Sequence, residues 1–164
     1  MIKGLKKLHS GEPACQKRSD SDHLRFVIHK KKDARINFTI ELNGIKSWTI
    51  RNVPSMNPLE QGQAEESKFE SFSIDIEQTL KGETLLVWDK GNYIPIDDSG
   101  NVLTEIEAME SLQEGLLKFF VQGKKLVGQF VLIRKEKNSW LLIKRHDEFA
   151  SYNYFKYELS NIDL

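Results

Sequence analysis

From Lys30 to Glu41 the chain reads Lys-Lys-Lys-Asp-Ala-Arg-Ile-Asn-Phe-Thr-Ile-Glu, a stretch rich in side chains that could handle a phosphate. An ammonium from Lys31 or Lys32 would neutralise a phosphoryl oxygen, and Arg35 offers a planar fork for two-point contact. A second basic segment supplies Lys124, Lys144 and Arg145, which could line the same face. The competing reading of Lys30–Lys32 is an ordinary solvated strand edge whose charge discourages edge pairing. Acid–base chemistry is open only if the carboxylates of Glu12, Asp33 and Glu41 converge with Lys31 in one cleft.

Other chemistries find little support. The four histidines are His9, His23, His29 and His146. His23 and His29 share a strand face at a separation of roughly 20 Å, too far to clasp one ion. No Ser-His-Asp set, zinc-type Cys/His spacing or phosphate-binding glycine loop occurs. The single cysteine, Cys15, excludes an intrachain disulfide and fits a reducing, cytoplasmic setting. Nothing near it would lower its pKa, so an idle thiol is expected rather than a nucleophile.

The elements that must position these groups follow from pattern and composition. The chain has 164 residues, 39% hydrophobic and 29% charged, which suits one globular domain. No apolar run reaches the roughly 20 residues of a membrane span, and the N-terminus lacks the apolar core of a secretion signal. Formal net charge is zero but unevenly spread: net +6 over residues 1–35, −11 over 57–114 and +6 over 115–147. The basic segments could meet as a phosphate-facing patch, while the acidic middle argues against nonspecific nucleic-acid binding by the whole surface.

Residues 1–22, broken by Gly11 and Pro13, read as an arm, 23–150 as the domain and 151–164 as a tail packed on or beside it. Strands are expected at Leu24–His29, Asn37–Leu42, Lys46–Arg51, Phe72–Ile76, Leu116–Val121, Lys125–Arg134 and Ser139–Lys144. Asn43-Gly44 is a hairpin signal, because both residues of the tight turn need positive φ. Residues 52–66, with Pro54, Pro58 and Gly62, predict a long loop. Thr84–Trp88 and Tyr93–Ile96 predict a hairpin through Lys90-Gly91-Asn92. Asp97–Asn101 is a turn that can cap a helix over Leu103–Gln113, whose core stripe would be Leu103, Ile106, Met109 and Leu112. The tail aromatics Tyr152, Tyr154, Phe155 and Tyr157 suggest sheet packing or an interface. Many short strands with one short helix imply an all-β barrel or sandwich.

Several segments carry a resemblance. They are Lys46-Ser47-Trp48-Thr49-Ile50, Pro54-Ser55-Met56-Asn57-Pro58, Val87-Trp88-Asp89-Lys90-Gly91, Gly115–Phe119, Gly123-Lys124-Lys125-Leu126-Val127-Gly128 and Trp140-Leu141-Leu142-Ile143-Lys144. In this order they resemble the 3′-phosphoesterase domain of the bacterial DNA repair enzyme ligase D, over most of Phe26 to Asp147. The resemblance implies a small closed or partly open β-barrel with one short helix. It also implies an activity that removes a 3′-phosphate or 3′-terminal ribonucleoside from a primer end, usually with manganese.

The same resemblance exposes a departure. The family pattern His-x-Ala-Arg-x-x-His-Tyr-Asp-x-Arg falls on Lys31, Asn37, Thr39 and Glu41 where two histidines, an aspartate and an arginine belong. Shifting by one residue matches Asp33-Ala34-Arg35 but puts Lys32 in the first position. No histidine lies between residues 30 and 145, so the family's Glu-Asp-His-Pro histidine is absent. Gln78–Gly82 stands where a Pro-Glu-Gly-Glu-Tyr-Gly loop is expected. Glu12-Pro13 is similar to a family Glu-Pro that contributes a carboxylate, and His146-Asp147 matches a closing Lys-x-x-Asp stretch with a structural role. Neutral Asn and Thr and a protonated Lys are poor metal ligands. No cofactor is therefore expected. The expectation is a non-catalytic relative that binds a DNA 3′ end or a repair partner in double-strand-break (non-homologous) end joining. The alternative is an active 3′-end phosphoesterase with a rebuilt site.

Overall fold

A computed structural model describes residues 24–67 and 85–152. The arm with Glu12 and Cys15, the strand expected at Phe72–Ile76, the Gln78–Gly82 segment and the tail beyond Tyr152 lie outside the described residues. Eight antiparallel strands close into a barrel in the order β1-β2-β3-β4-β8-β7-β6-β5. They are β1 Leu24–Lys31, β2 Ile36–Glu41, β3 Ile45–Ile50, β4 Gly62–Glu66, β5 Leu85–Ile96, β6 Leu116–Gln122, β7 Val127–Glu136 and β8 Ser139–Lys144. Closure leaves no sheet edge, so Lys30 is paired with both β2 and β5, and Lys31 with β5, rather than guarding an edge.

Alternation decides which face is core. Phe26 and Ile28, Ile36, Phe38 and Ile40, and Trp48 and Ile50 turn inward from the first three strands to meet Phe119, Phe130, Trp140 and Leu142. Phe38 links this interior, with ring centroids 5.9 Å from Trp48 and 6.0 Å from Phe119. At strand period 2, Asn37, Thr39 and Glu41 must then face outward. The Asn43-Gly44 turn joins β2 to β3 with φ of 55° and 106°, as its sequence predicts.

The structure alters four expectations. Lys90-Gly91-Asn92 is no turn: β5 runs unbroken, because Lys90 and Gly91 pair with β1 while Asn92 pairs with both β1 and β6. Gly91 is needed for close approach, since a Cβ there would sit 2.1 Å from the Gln122 carbonyl oxygen. The expected loop 52–66 contains β4, which buries only Ala64 and therefore shows no hydrophobic alternation; pairing with β3 and β8 defines it. The helix α1, Glu105–Gln113, is capped by Thr104 in a reciprocal capping box with Glu107. Asp97 instead closes its own turn by accepting from the Ser99 and Asn101 amides. Ile106 is 70% exposed, and Ala108 takes the buried place with Leu112.

Candidate functional site

The outer face of β1–β2–β3 carries the positions where the sequence departs from the resemblance. Register sets them in transverse rows: Arg25 with Glu41, Val27 with Thr39 and Ser47, His29 with Asn37 and Thr49. Each candidate is engaged by a neighbour. The Arg25 guanidinium donates to both Glu41 oxygens, at 3.1 and 2.7 Å, and its backbone amide adds a third bond at 3.0 Å. Thr39 and Ser47 share a hydroxyl–hydroxyl bond of 3.0 Å, and the Asn37 amide reaches Thr49 Oγ1 at 3.4 Å. His29, Asn37, Thr39 and Ser47 are buried, and the pairing of Asn37 with Thr49 and of Thr39 with Ser47 offsets the loss of water for those side chains. The backbone carbonyl of Glu41 also accepts from the Tyr93 hydroxyl. Burial first, then the carboxylates of Glu105 and Glu41, raise that phenol well above its ordinary range.

These residues do not fit a divalent ion. His29 contributes one imidazole to the row, but the amide and hydroxyls beside it are neutral and face each other, and the one carboxylate already serves a guanidinium. Among the described residues, no three His, Cys, Asp or Glu side chains converge on a point.

The remaining candidates do not gather at this row. Lys31 ends β1 beside Arg35, where its amide bonds the Arg35 carbonyl, and exposed Lys32 lies in the turn. Arg35 holds Asp33 at 2.8 Å, and that hydrogen bonding keeps the Asp33 carboxyl below its usual range. Lys31 and Glu41 share the outer face but stand at opposite ends of the β1–β2 ladder. Glu41 faces Arg25, six residues from Lys31, or roughly 20 Å along the strand. Lys144 is buried, donating to Asp147 at 2.6 Å and to the Arg145 carbonyl at 3.0 Å, so its ammonium holds the fold together. Burial lowers its pKa, with Asp147 opposing. Arg145 is half-buried and hands its amide to Gln129. Exposed His146 stacks on Tyr152 at 5.8 Å.

Lys124 sits apart from all of these, in the β6–β7 hairpin against Asp89. The Asp89 carboxylate accepts the backbone amides of Lys90 and Lys124 on one oxygen, and of Lys125 and Leu126 on the other. Gly123 completes the joint, because a Cβ there would lie 2.4 Å from Asp89 Oδ2. Asp147 makes a smaller version, taking the Gln129 and Phe149 amides as well as Lys144. Three segments that carry the resemblance therefore work as fastenings of the barrel.

The DNA Ligase D 3′-phosphoesterase domain family matches residues 20–134 of this chain. The chain belongs to the ligase D 3′-phosphoesterase family. It is 31% identical to the multifunctional non-homologous end joining protein LigD of Pseudomonas aeruginosa, an alignment covering 83% of this chain and 17% of that protein. The chain thus spans about a sixth of its relative's length. No helix among the described residues is long and apolar enough to cross a membrane.

Sequence reasoning about this family domain overlooked Arg25, which claims Glu41, and the basic residues around Lys124. Arg25 could have been found by laying β1 against β2 from the turn at residues 32–35. Lys90 and Lys125 were hidden because their segments read as frame.

Proposed function

We propose that this chain is a non-catalytic member of the ligase D 3′-phosphoesterase family that keeps the barrel as a binding module for nucleic-acid ends in double-strand-break repair. The observation that carries this reading is the pairing of Glu41 with Arg25, Thr39 with Ser47 and Asn37 with Thr49. A metal site needs charged or strongly donating ligands held free for the ion, and these partners consume them. The rebuilt-site alternative is weakened by the separation of Lys31 from Glu41 and the capture of Asp33 by Arg35. Lys31 and Lys32 at the β1–β2 turn offer positive charge to a terminal phosphate without a bond being broken. A lone cysteine accords with a cytoplasmic setting.

The test is cleavage of a primer-template ending in a 3′-phosphate or a single ribonucleotide, with and without manganese. No turnover is expected under either condition. Manganese-dependent turnover that disappears in a Lys31→Ala, Glu41→Ala double variant would overturn the proposal and establish a rebuilt enzyme. Shifted DNA without product would support end binding, whereas unshifted DNA at low salt would point to a protein partner.

A further inference from the structure

A cleft of about 520 Å³ opens between β5 and the β6–β7 hairpin, lined by Arg25, Trp88, Lys90, Asn92, Lys124 and Lys125. Four of those six side chains are cationic, and of these Arg25 is paired with Glu41. The one acid in the lining, Asp89, spends its oxygens on four backbone amides, so its charge is answered from within the joint. The Lys125 ammonium lies 4.6 Å from the Trp88 ring centroid, which steadies it over the cleft. Lys124 is exposed, and among the described residues its ammonium meets no carboxylate at ion-pairing distance. Both lysines fasten the hairpin through backbone amides, which leaves their charged ends available to a ligand.

We propose that this cleft binds the phosphodiester backbone of a single nucleic-acid strand. The proposal rests on reading the domain as a nucleic-acid-binding module and adds a strand site away from the terminus. Concave volume, clustered lysines and an aromatic wall are the features that hold single strands without reading sequence. Position supports the same ligand. Lys90 continues the row of Val27 and Thr39, and Asn92 continues that of Arg25 and Glu41. A strand whose terminus reached the outer face of β2 would lay its preceding phosphates across β5 and the hairpin.

The experiment is fluorescence anisotropy of the full chain with labelled linear and circular oligothymidylate over a salt series, since the circle has no end to bind. Both are expected to bind. The Lys124→Ala, Lys125→Ala variant should lose roughly tenfold in affinity for both, with the salt slope reduced by about 1.4 for two lost contacts. Lys124→Arg, Lys125→Arg should restore binding, and an unchanged melting temperature in each variant shows that the fold survives. Linear binding without circular binding would overturn the cleft and leave end recognition standing. No binding to either at low salt would overturn both. Inorganic phosphate that competes as well as unlabelled strand, mole for mole of phosphate, would replace the strand by free phosphate.

Discussion

Asp89 and Thr39 are both buried polar residues on neighbouring parts of the same barrel, yet they are satisfied in opposite ways. Asp89 is charged and draws its donors from a hairpin 35 to 37 residues further along the chain. Thr39 is neutral and pairs with Ser47, its direct neighbour across one ladder. The first arrangement locks distant pieces together, so replacing the carboxylate strands several amides at once. The second is local, and many pairs of small polar residues would satisfy the same geometry. The contrast shows that one barrel holds both a long-range fastening and a polar row satisfied by its nearest neighbours.

Three measurements test that contrast. The largest effect is expected from Asp89→Ala, which leaves the Lys124, Lys125 and Leu126 amides without their acceptor. At about 1–3 kcal/mol per buried unsatisfied group, discounted for the two nearer solvent, a loss of about 3–5 kcal/mol is expected. Urea unfolding reads it directly, and a cost below about 1 kcal/mol would remove the joint from the account of the fold.

Thr39→Val comes next. It leaves the Ser47 hydroxyl unpaired in a buried row, for an expected loss of about 1–2 kcal/mol. Thr39→Val combined with Ser47→Ala should recover part of this, because removing both partners is cheaper than removing one. A double variant no better than the sum of the singles would show that the pair is not a unit.

The smallest expected effect is none. A millimolar excess of manganese should leave the melting temperature of the wild-type chain unchanged, since a ligand stabilises only the state that binds it. A clear upward shift that Glu41→Gln abolishes would place an ion on the outer face of β2 after all.

Legibility differed sharply between elements. Ser139–Lys144 and the Asn43-Gly44 hairpin were plain in the sequence, because alternation and a turn with positive φ are local signals. β4 was not, because only Ala64 of its five residues is buried. Lys90-Gly91-Asn92 looked like a turn, because glycine has one appearance in sequence whether it bends the chain or admits a neighbouring carbonyl. The chemical character of Asn37, Thr39 and Glu41 could be read residue by residue. The regrouping of the basic residues could not. Lys144 and Lys124 look alike in sequence, but one is buried against Asp147 and the other lines an open cleft.

By itself the sequence determined the family frame, the strand-rich fold class and the chemical character of each position, since these depend on residue type and short-range period. Which charges are paired within the barrel is settled by the three-dimensional fold. Arg25 meets Glu41 across 16 residues and Asp89 meets Leu126 across 37, and closing the barrel is what brings such distant groups within hydrogen-bonding reach.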